Sequence, residues 1–202
     1  MNGVVLISGG GSNLQSIIDS AGRINLSIQC VVSNRPNVYG LKRAAKANIP
    51  SCVLDHNLFE SRGDFDQALM SMIDDHHPDI VILAGFMRIL TDEFINKYQG
   101  RLLNIHPSLL PKYPGLNTHQ QAIDANDTSH GASVHFVTKT LDGGPVIAQK
   151  EVKINPEESA ETLAAKVLKQ EHVLYPEVIH WYTQGRLKLL NDTTATLDEQ
   201  VI

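Results

Sequence analysis

GVVLISGGGSNLQSIIDSAG, residues 3–22, joins an apolar run, a glycine-rich turn and an amphipathic segment in that order. The apolar run over residues 3–8 is typical of a buried strand. Apolar residues then recur at the helical spacing i, i+3, i+4 and i+7, at Leu14, Ile17, Ile18 and Ala21. This pattern predicts a helix that Ser12 caps and Gly22 ends. A strand that leads through glycines into a helix is typical of a parallel α/β fold.

Short apolar runs continue this alternation along the chain. They are SIQCVVS (27–33), SCVLD (51–55), DIVILAG (79–85) and RLLNIHP (101–107). The segments between them are long enough for crossover helices, so the pattern predicts a mostly parallel sheet. GASVHFVTK (131–139) and PVIAQKEVKI (145–154) are expected to pair antiparallel and close a mixed sheet, and a long helix is expected over residues 159–183.

The composition favours one domain with a small-molecule partner. The 202 residues are 42% apolar, and 17 basic with 22 acidic residues give a net charge of −5. Because there is no basic run, nucleic acid is not an expected partner. No stretch approaches the roughly 18 apolar residues of a membrane span. We expect a domain over 1–190, a polar tail over 191–202 and cytoplasmic residence.

The glycine-rich turn is a candidate phosphate site. Gly11, Ser12 and Asn13 lie where a helix begins, and backbone N–H groups at a helix start bind anions. Leu14 stands where a dinucleotide fingerprint has its third glycine, and no acid follows the second strand, so a monophosphate fits better than a dinucleotide. The alternative is a plain tight turn that needs glycine for its positive φ.

Asn104 and His106 end an apolar strand, with Ile105 between them. In an extended segment this alternation directs both polar side chains to one face. An amide donor beside an imidazole suits acyl transfer, because both can hydrogen-bond a developing oxyanion and the histidine can also move protons. The alternative is a structural pair that supports the proline-rich loop over residues 107–114.

Asp142 lies at the tip of the turn Leu141-Asp142-Gly143-Gly144. Taken alone, this turn is more simply explained as an ordinary hairpin connection. A functional interpretation requires Asp142 to lie near His106, where a carboxylate would favour the protonated imidazole and make it a better donor and acid.

Glu171 interrupts the apolar stripe of the last predicted helix, which runs through Ala164, Val167, Leu168, Leu174, Tyr175 and Val178. An acid on a buried face needs a partner. Pro176 predicts a kink in the same helix. Glu171 is therefore a candidate for contacting a ligand amine, with a structural salt bridge as the alternative.

The other histidines and the two cysteines do not indicate a metal site. No ligand spacing relates His130, His172 and His180. His76 and His77 are expected at a helix end on the surface. Cys30 and Cys52 are expected to be buried reduced thiols rather than a disulfide or a metal pair.

His119 and His135 are further candidates for lining a cleft. The alternative for His119 is an exposed, solvated histidine. The alternative for His135, which lies in the strand pattern SVHFV, is a hydrogen-bonded histidine in the core.

Seven motifs spread over residues 3–189 carry a family resemblance: VVLISGGGSN, LAGFMRIL, GRLLNIHPSLLPKYPGL, HGASVHFV, LDGGPVI, QEHVLYP and GRLK. On these motifs the chain resembles the glycinamide ribonucleotide formyltransferase family of the formyltetrahydrofolate-dependent superfamily. The resemblance implies a Rossmann-like α/β fold, with a mostly parallel mixed sheet, helices on both faces and a single domain. It also implies formyl transfer from the co-substrate 10-formyltetrahydrofolate to the amine of glycinamide ribonucleotide, in purine biosynthesis.

The resemblance also implies three sets of site residues, and the spacing of the histidines and cysteines predicts no metal. Asn104, His106 and Asp142 are catalytic; Gly11, Ser12, Asn13 and Glu171 hold the ribonucleotide; Arg62, Met87, Arg88, Ile89, Leu90, Thr138 and Leu141 receive the folate together with Asn104 and Asp142. One departure is Gly10, where the family usually has asparagine, and it puts the detail of the phosphate contacts in question.

The expected mechanism is direct transfer. The amine, placed by Glu171, attacks the formyl carbon, and Asn104 and His106 stabilise the oxyanion. A proton then reaches the folate nitrogen through His106 or a water positioned by Asp142. The expected assembly is a monomer or weak homodimer.

Three alternatives come from the same sequence. Formyltransferases that act on methionyl-tRNA, and formyltetrahydrofolate hydrolases, usually carry an additional domain for which 202 residues leave no room. The third alternative belongs to another class: a redox or non-catalytic module whose glycine turn binds a dinucleotide while Arg35 contacts a 2′-phosphate.

Overall fold

The computed structural model describes residues 1–202, which form two compact units, Met1–Leu103 and Asn104–Ile202. The first contains β1 (Asn2–Ile7), α1 (Ser12–Ser20), β2 (Ser27–Ser33), α2 (Tyr39–Lys46), β3 (Ser51–Val53), a 3₁₀ turn (His56–Leu58), α3 (Arg62–Asp74), β4 (Ile80–Leu83) and α4 (Asp92–Lys97). The boundary falls within β5 (Leu102–His106). The second contains α5 (Thr118–Asp124), β6 (Ser129–Phe136), β7 (Val146–Lys153), α6 (Ala160–Thr183), β8 (Leu187–Asn191), β9 (Thr194–Leu197) and β10 (Gln200–Val201).

Parallel strands in the order β3-β2-β1-β4 form the framework of the first unit. The central strand β1 is fully buried from Val4 to Ile7, as its unbroken apolar run predicts for a strand covered on both faces. The strand pattern of the sequence is present throughout this unit, although β3 and β4 are shorter than expected. These strands carry the glycine-rich turn at the carboxyl end of β1.

The start of α1 differs from the sequence expectation. Gly11, and not Ser12, occupies the N-cap position, in the left-handed conformation with φ of 69°, and no side chain caps the helix. A Cβ at Gly11 would lie 2.7 Å from the Cα of Gly40. Glycine is therefore required here both for the backbone angle and for the close approach of the chain to the start of α2.

In the second unit β6 and β7 pair antiparallel, with a register shift between Val134 and His135. The long helix α6 packs against both strands, and the Ser159 hydroxyl caps it by accepting from the N–H of Thr162. The helix continues through Pro176, so the kink expected there stays a prediction. Neither α6 nor any other helix has the length and apolarity needed to cross a membrane.

Residues near the carboxyl terminus form a small antiparallel sheet in the order β10-β9-β8. Arg186 and Asp198 are joined across it by an ion pair of 2.6 Å, and Ala195 is fully buried. Much of the segment 191–202 is thus in strands, where the sequence suggested a polar tail. The domain boundary after residue 190 stays a prediction.

Candidate active site

A group of four polar side chains meets in the second unit. Asn104 Nδ2 lies 3.1 Å from Nε2 of His135. Asp142 stands between two imidazoles, with Oδ2 at 3.5 Å from His106 Nδ1 and Oδ1 at 3.7 Å from His135 Nε2. We call Asn104, His106, His135 and Asp142 the polar cluster. It contains the three residues expected to be catalytic, and their roles in the reaction stay predictions.

His135 fixes the orientation of the Asn104 amide. Its Nδ1 lies 2.8 Å from the carbonyl oxygen of Phe136, which can only accept, so Nδ1 carries the hydrogen. Burial lowers the pKa of His135 and keeps the ring neutral, so Nε2 accepts a hydrogen bond from Asn104 Nδ2. One amide hydrogen of Asn104 is thereby occupied, and the geometry leaves the second for another acceptor.

His106 is held from the opposite side of its ring. Its Nε2 donates to the carbonyl oxygen of Tyr113 at 2.8 Å, which leaves Nδ1 as the atom that faces Asp142. The side chains of His106 and Asp142 are only 6% and 9% exposed. In such a shielded position a carboxylate interacts strongly with an imidazolium, so the pair is suited to holding or transferring a proton at Nδ1.

The turn that carries Asp142 depends on its two glycines. A Cβ at Gly144 would lie 1.9 Å from the carbonyl oxygen of Phe136, and one at Gly143 would lie 2.5 Å from Cγ2 of Thr140. Asp142 itself has a φ of 49°, and its Oδ2 accepts from the N–H of Gly115 at 2.9 Å. The glycines therefore permit a turn that aims the carboxylate inward.

A buried network shapes the proline-rich loop that supplies Tyr113. Ser133 Oγ accepts from the N–H of Leu110 and donates to the carbonyl of Ser108, at 3.0 and 2.6 Å. Gln149 Nε2 donates to both Ser133 Oγ and the carbonyl of Leu110, at 2.8 and 2.9 Å. The Leu110–Pro111 bond is cis, which sequence could not establish. The loop is thus anchored to β6 and β7, and it positions the acceptor for His106.

Glu171 lies on the inner face of α6 and is 7% exposed. Leu174 and Val178 are buried beside it on the same helix, whereas Ala164 and Leu168, which belonged to the expected stripe, are only partly buried. The acid is therefore on a buried face, as its position in the pattern indicated. Its contact with a ligand amine stays a prediction.

The glycine-rich turn of the first unit leads directly into α1. Asn13 is 8% exposed, and Gly11 and Ser12 are partly exposed. Arg43 Nε donates to the carbonyl of Gly10 at 2.9 Å, so this carbonyl is hydrogen-bonded within the protein. The first-turn N–H groups of α1 begin at this point, and phosphate binding there stays a prediction.

The residues expected to receive folate differ in exposure. In the first unit Met87 and Ile89 are 62% and 57% exposed, and Leu90 is buried. Arg62 is exposed at the start of α3, and the guanidinium of Arg88 lies 5.0 Å from the ring centre of Phe65. In the second unit Leu141 is exposed and Thr138 is buried. Exposed apolar side chains such as Met87, Ile89 and Leu141 are suited to contact a ligand.

Comparison with known proteins matches residues 1–179 to the family model described as formyl transferase. The chain belongs to the formyl transferase family. Phosphoribosylglycinamide formyltransferase of Escherichia coli (strain K12) is 52% identical over 202 residues, which are 99% of this chain and 95% of that protein. The Haemophilus influenzae protein of the same name is 47% identical over 200 residues, covering 98% and 94%.

A solved formyl transferase has the same fold. The structure of phosphoribosylglycinamide formyltransferase from Coxiella burnetii, in complex with CHES, has a TM-score of 0.95 at 48% identity and covers 100% of this chain and 95% of that one. The sequence predictions of the family and of the fold class are thereby confirmed: the main sheet has seven strands, is mixed and mostly parallel, and is accompanied by helices.

Gly10 is the position at which this formyl transferase departs from the expected family pattern. A Cβ added there meets no atom within 4 Å, so the fold leaves room for the side chain that the family usually carries. Glycine at this position is therefore not a steric requirement, in contrast with Gly11.

His135 is the residue whose importance the sequence left open. The structure shows a hydrogen-bonded core histidine, since His135 is 2% exposed and its ring contacts Asn104 and Phe136. That it also lines a cleft stays a prediction. A polar residue near the end of a buried strand was the signal available in sequence. His119 is partly exposed, and its Nδ1 lies 3.1 Å from Nε2 of His130.

We expect this formyl transferase to lose stability as the pH falls from about 6.5 to about 4. Burial, and next the neighbouring His119, lower the pKa of His130 from 6.5 to about 4. The unfolded chain therefore binds more protons than the native chain in this window, at a cost of at most roughly 3 kcal/mol at its lower end. Urea unfolding of His130→Gln should show a weaker pH dependence than wild type, and His77→Gln, at an exposed position, should not. Identical slopes for His130→Gln and wild type would contradict this.

Proposed function

We propose that this chain transfers the formyl group of 10-formyltetrahydrofolate to the amine of glycinamide ribonucleotide, a step of purine biosynthesis. The names of the Escherichia coli and Haemophilus influenzae relatives, phosphoribosylglycinamide formyltransferases that match nearly the whole chain, support the substrate. The observation that carries the chemistry is the polar cluster, in which an amide, an imidazole and a carboxylate lie within 3.1–3.7 Å of their neighbours.

The reaction forms one carbon–nitrogen bond and breaks another. The neutral amine of the ribonucleotide attacks the formyl carbon, and the carbonyl electrons move to oxygen as the tetrahedral intermediate forms. The donors for this oxyanion are the second amide hydrogen of Asn104 and the Nδ1–H of the protonated His106, because Nε2–H is bonded to the Tyr113 carbonyl. Collapse of the intermediate breaks the bond to the folate nitrogen, which takes up a proton while the attacking amine loses one, so no covalent enzyme intermediate is required.

Asp142 and His106 carry the proton in this scheme. Asp142 Oδ2 lies 3.5 Å from His106 Nδ1, so the carboxylate faces the ring atom through which a proton would pass. His106 then gives the proton to the folate nitrogen, directly or through a water that Asp142 orders. His135 has a positioning role, because its hydrogen bond holds the Asn104 amide in place.

Binding of the two substrates is assigned to separate sets of residues. Gly11, Ser12 and Asn13 hold the phosphate at the start of α1, and Glu171 contacts the substrate amine. Met87, Arg88, Ile89, Leu90 and Arg62, with Thr138 and Leu141, receive the folate. The reaction uses the folate as a co-substrate and assigns no metal to the transfer. Cytoplasmic residence and a monomeric or weakly dimeric state stay predictions.

A spectrophotometric assay tests this function. The purified chain, mixed with glycinamide ribonucleotide and a chromophoric 10-formyl folate analogue, should release the deformylated analogue only when both substrates are present. Glycinamide without the ribose phosphate is the matched control and should react far more slowly, because it lacks the group that the glycine-rich turn binds. Nicotinamide fluorescence that reports NADPH binding, in the absence of turnover, would instead favour a dinucleotide-binding module.

A further inference from the structure

Two cysteines and a histidine meet in the first unit, and none of the three belongs to the polar cluster or to the residues proposed to bind substrate. Cys30 lies on β2 and Cys52 on β3, and their Sγ atoms are 3.8 Å apart. His76 follows the end of α3, and one ring nitrogen of His76 and both sulfur atoms all lie within 4.8 Å of one another. Both cysteines are free thiols. From the sequence, Cys30 and Cys52, which are 22 positions apart, were expected to be buried reduced thiols rather than a metal pair.

The strand register explains why the two thiols share a face. Val32 of β2 is the partner of Cys52 in the parallel pairing of these strands. Cys30 precedes Val32 by two residues, and side chains two apart on a strand point to the same side. The pairing therefore directs both sulfur atoms to the side of the sheet on which His76 is found.

The distances fit a tetrahedral metal ion better than a disulfide. A tetrahedral Zn²⁺ with Zn–S bonds of about 2.3 Å separates its two sulfur ligands by about 3.8 Å, which equals the observed separation of 3.8 Å. A disulfide would require the sulfur atoms to approach to about 2.05 Å. The same separation is that of an S–H···S hydrogen bond between the two thiols, so an ion would take the place of that bond. The imidazole nitrogen, within 4.8 Å of both sulfur atoms, would move closer to them to complete three positions.

We propose that Cys30, Cys52 and His76 bind Zn²⁺, with water in the fourth position. Two sulfur ligands and one imidazole suit a thiophilic ion of this kind, whereas Mg²⁺ and Ca²⁺ require oxygen ligands. The ion displaces the proton of each thiol, and both protons pass to solvent. The proposal concerns a site separate from the polar cluster and does not depend on the function proposed above.

The three proposed ligands differ in their exposure to solvent. Cys30 is fully buried, while Cys52 and His76 are partly exposed. The ion can therefore enter from the side of Cys52 and His76 and reach Cys30 last.

Bound Zn²⁺ would link the turn after α3, through His76, to strands β2 and β3, through Cys30 and Cys52. β3 is an outer strand of only three residues in the order β3-β2-β1-β4. A ligand that binds the native chain and not the unfolded one raises the melting temperature, by an amount that grows with the logarithm of its concentration divided by its dissociation constant. The expected consequence is a first unit that is more resistant to unfolding when the ion is bound.

Titration with Co²⁺ tests the site in the full chain, under a phosphine reductant and without oxygen. Wild type should bind one Co²⁺ with the intense visible bands of tetrahedral coordination and a thiolate charge-transfer band, and Zn²⁺ should remove both. Cys52→Ser should abolish the charge-transfer band of paired thiolates. His76→Gln should weaken binding by about 10-fold or more, at least the loss typical of an outer-shell partner. His77→Gln is the matched control, because it changes the adjacent, exposed histidine.

Two results would overturn the proposal. One is the absence of thiolate charge transfer in wild type at one equivalent of Co²⁺. The other is equal Co²⁺ affinity in His76→Gln and His77→Gln, which would remove the histidine from the site. Circular dichroism establishes that each variant is folded, and if Cys52→Ser is not, the comparison of the two histidine variants decides by itself.

Discussion

His106→Ala should lower turnover by about 10²–10³-fold, roughly 3–4 kcal/mol, and Asn104→Ala should do the same. Both side chains donate to an oxygen that becomes negative only in the transition state, so their loss should affect the chemical step and leave substrate binding almost unchanged. The two losses should not add in the double variant, because the donors act on one oxygen. Steady-state rates and equilibrium binding of each substrate, measured side by side, provide this separation.

The structure supplies a control for this experiment and a way to contradict it. His77 is exposed in the first unit, so His77→Gln should retain wild-type turnover and account for any general effect of removing an imidazole. If His106→Ala turned over substrate at a near-normal rate, the role given to the polar cluster would be wrong. A large loss of binding with little change in turnover would instead indicate a residue that positions substrate.

Asp142→Asn should lower turnover by about 10²-fold or more, the range expected when proton transfer is impaired. The substitution preserves shape: an asparagine carbonyl can accept from the N–H of Gly115, and asparagine tolerates the left-handed backbone found at this position. What is lost is the negative charge between His106 and His135. Steady-state rates across pH, with thermal unfolding of the same samples, measure the effect.

A second carboxylate provides the matched control for that variant. Asp198 forms an exposed ion pair with Arg186, so Asp198→Asn makes the same chemical change far from any residue assigned to the reaction. Its turnover should equal that of wild type. Unchanged turnover in Asp142→Asn would remove this residue from the mechanism and leave it as part of a turn.

Local pattern was enough to predict much of the fold. The run of apolar residues in β1 and the helical spacing of Leu14 and Ile17 are properties of consecutive residues, and they predicted elements that the structure contains. The cap of α1 was not predicted correctly, because Ser12 is a good capping residue by type whereas Gly11 takes the position through contact with Gly40. That contact joins residues far apart in sequence, which no local pattern records.

In the candidate site too, local sequence predicts some features and only the tertiary structure decides others. Alternation in Asn104-Ile105-His106 is enough to predict two polar side chains on one face of a strand, since side-chain direction follows from position along an extended backbone. The hydrogen bond from Asn104 to His135 spans 31 residues. The sequence alone could not decide whether His135 lines a cleft or lies in the core, nor whether Asp142 reaches His106.

The sequence by itself determined the alternation of strands and helices in the first unit, the antiparallel pair β6 and β7, the long helix α6, the family, and the chemical types present in the candidate site, because these depend on neighbouring residues and on motifs. Tertiary structure alone decided which of those residues meet. It brought Asp142 between two imidazoles, and it brought Cys30 within 3.8 Å of Cys52. Such pairs depend on strand order, register and turn geometry, which are set by the packing of the whole chain and are not encoded in any short segment.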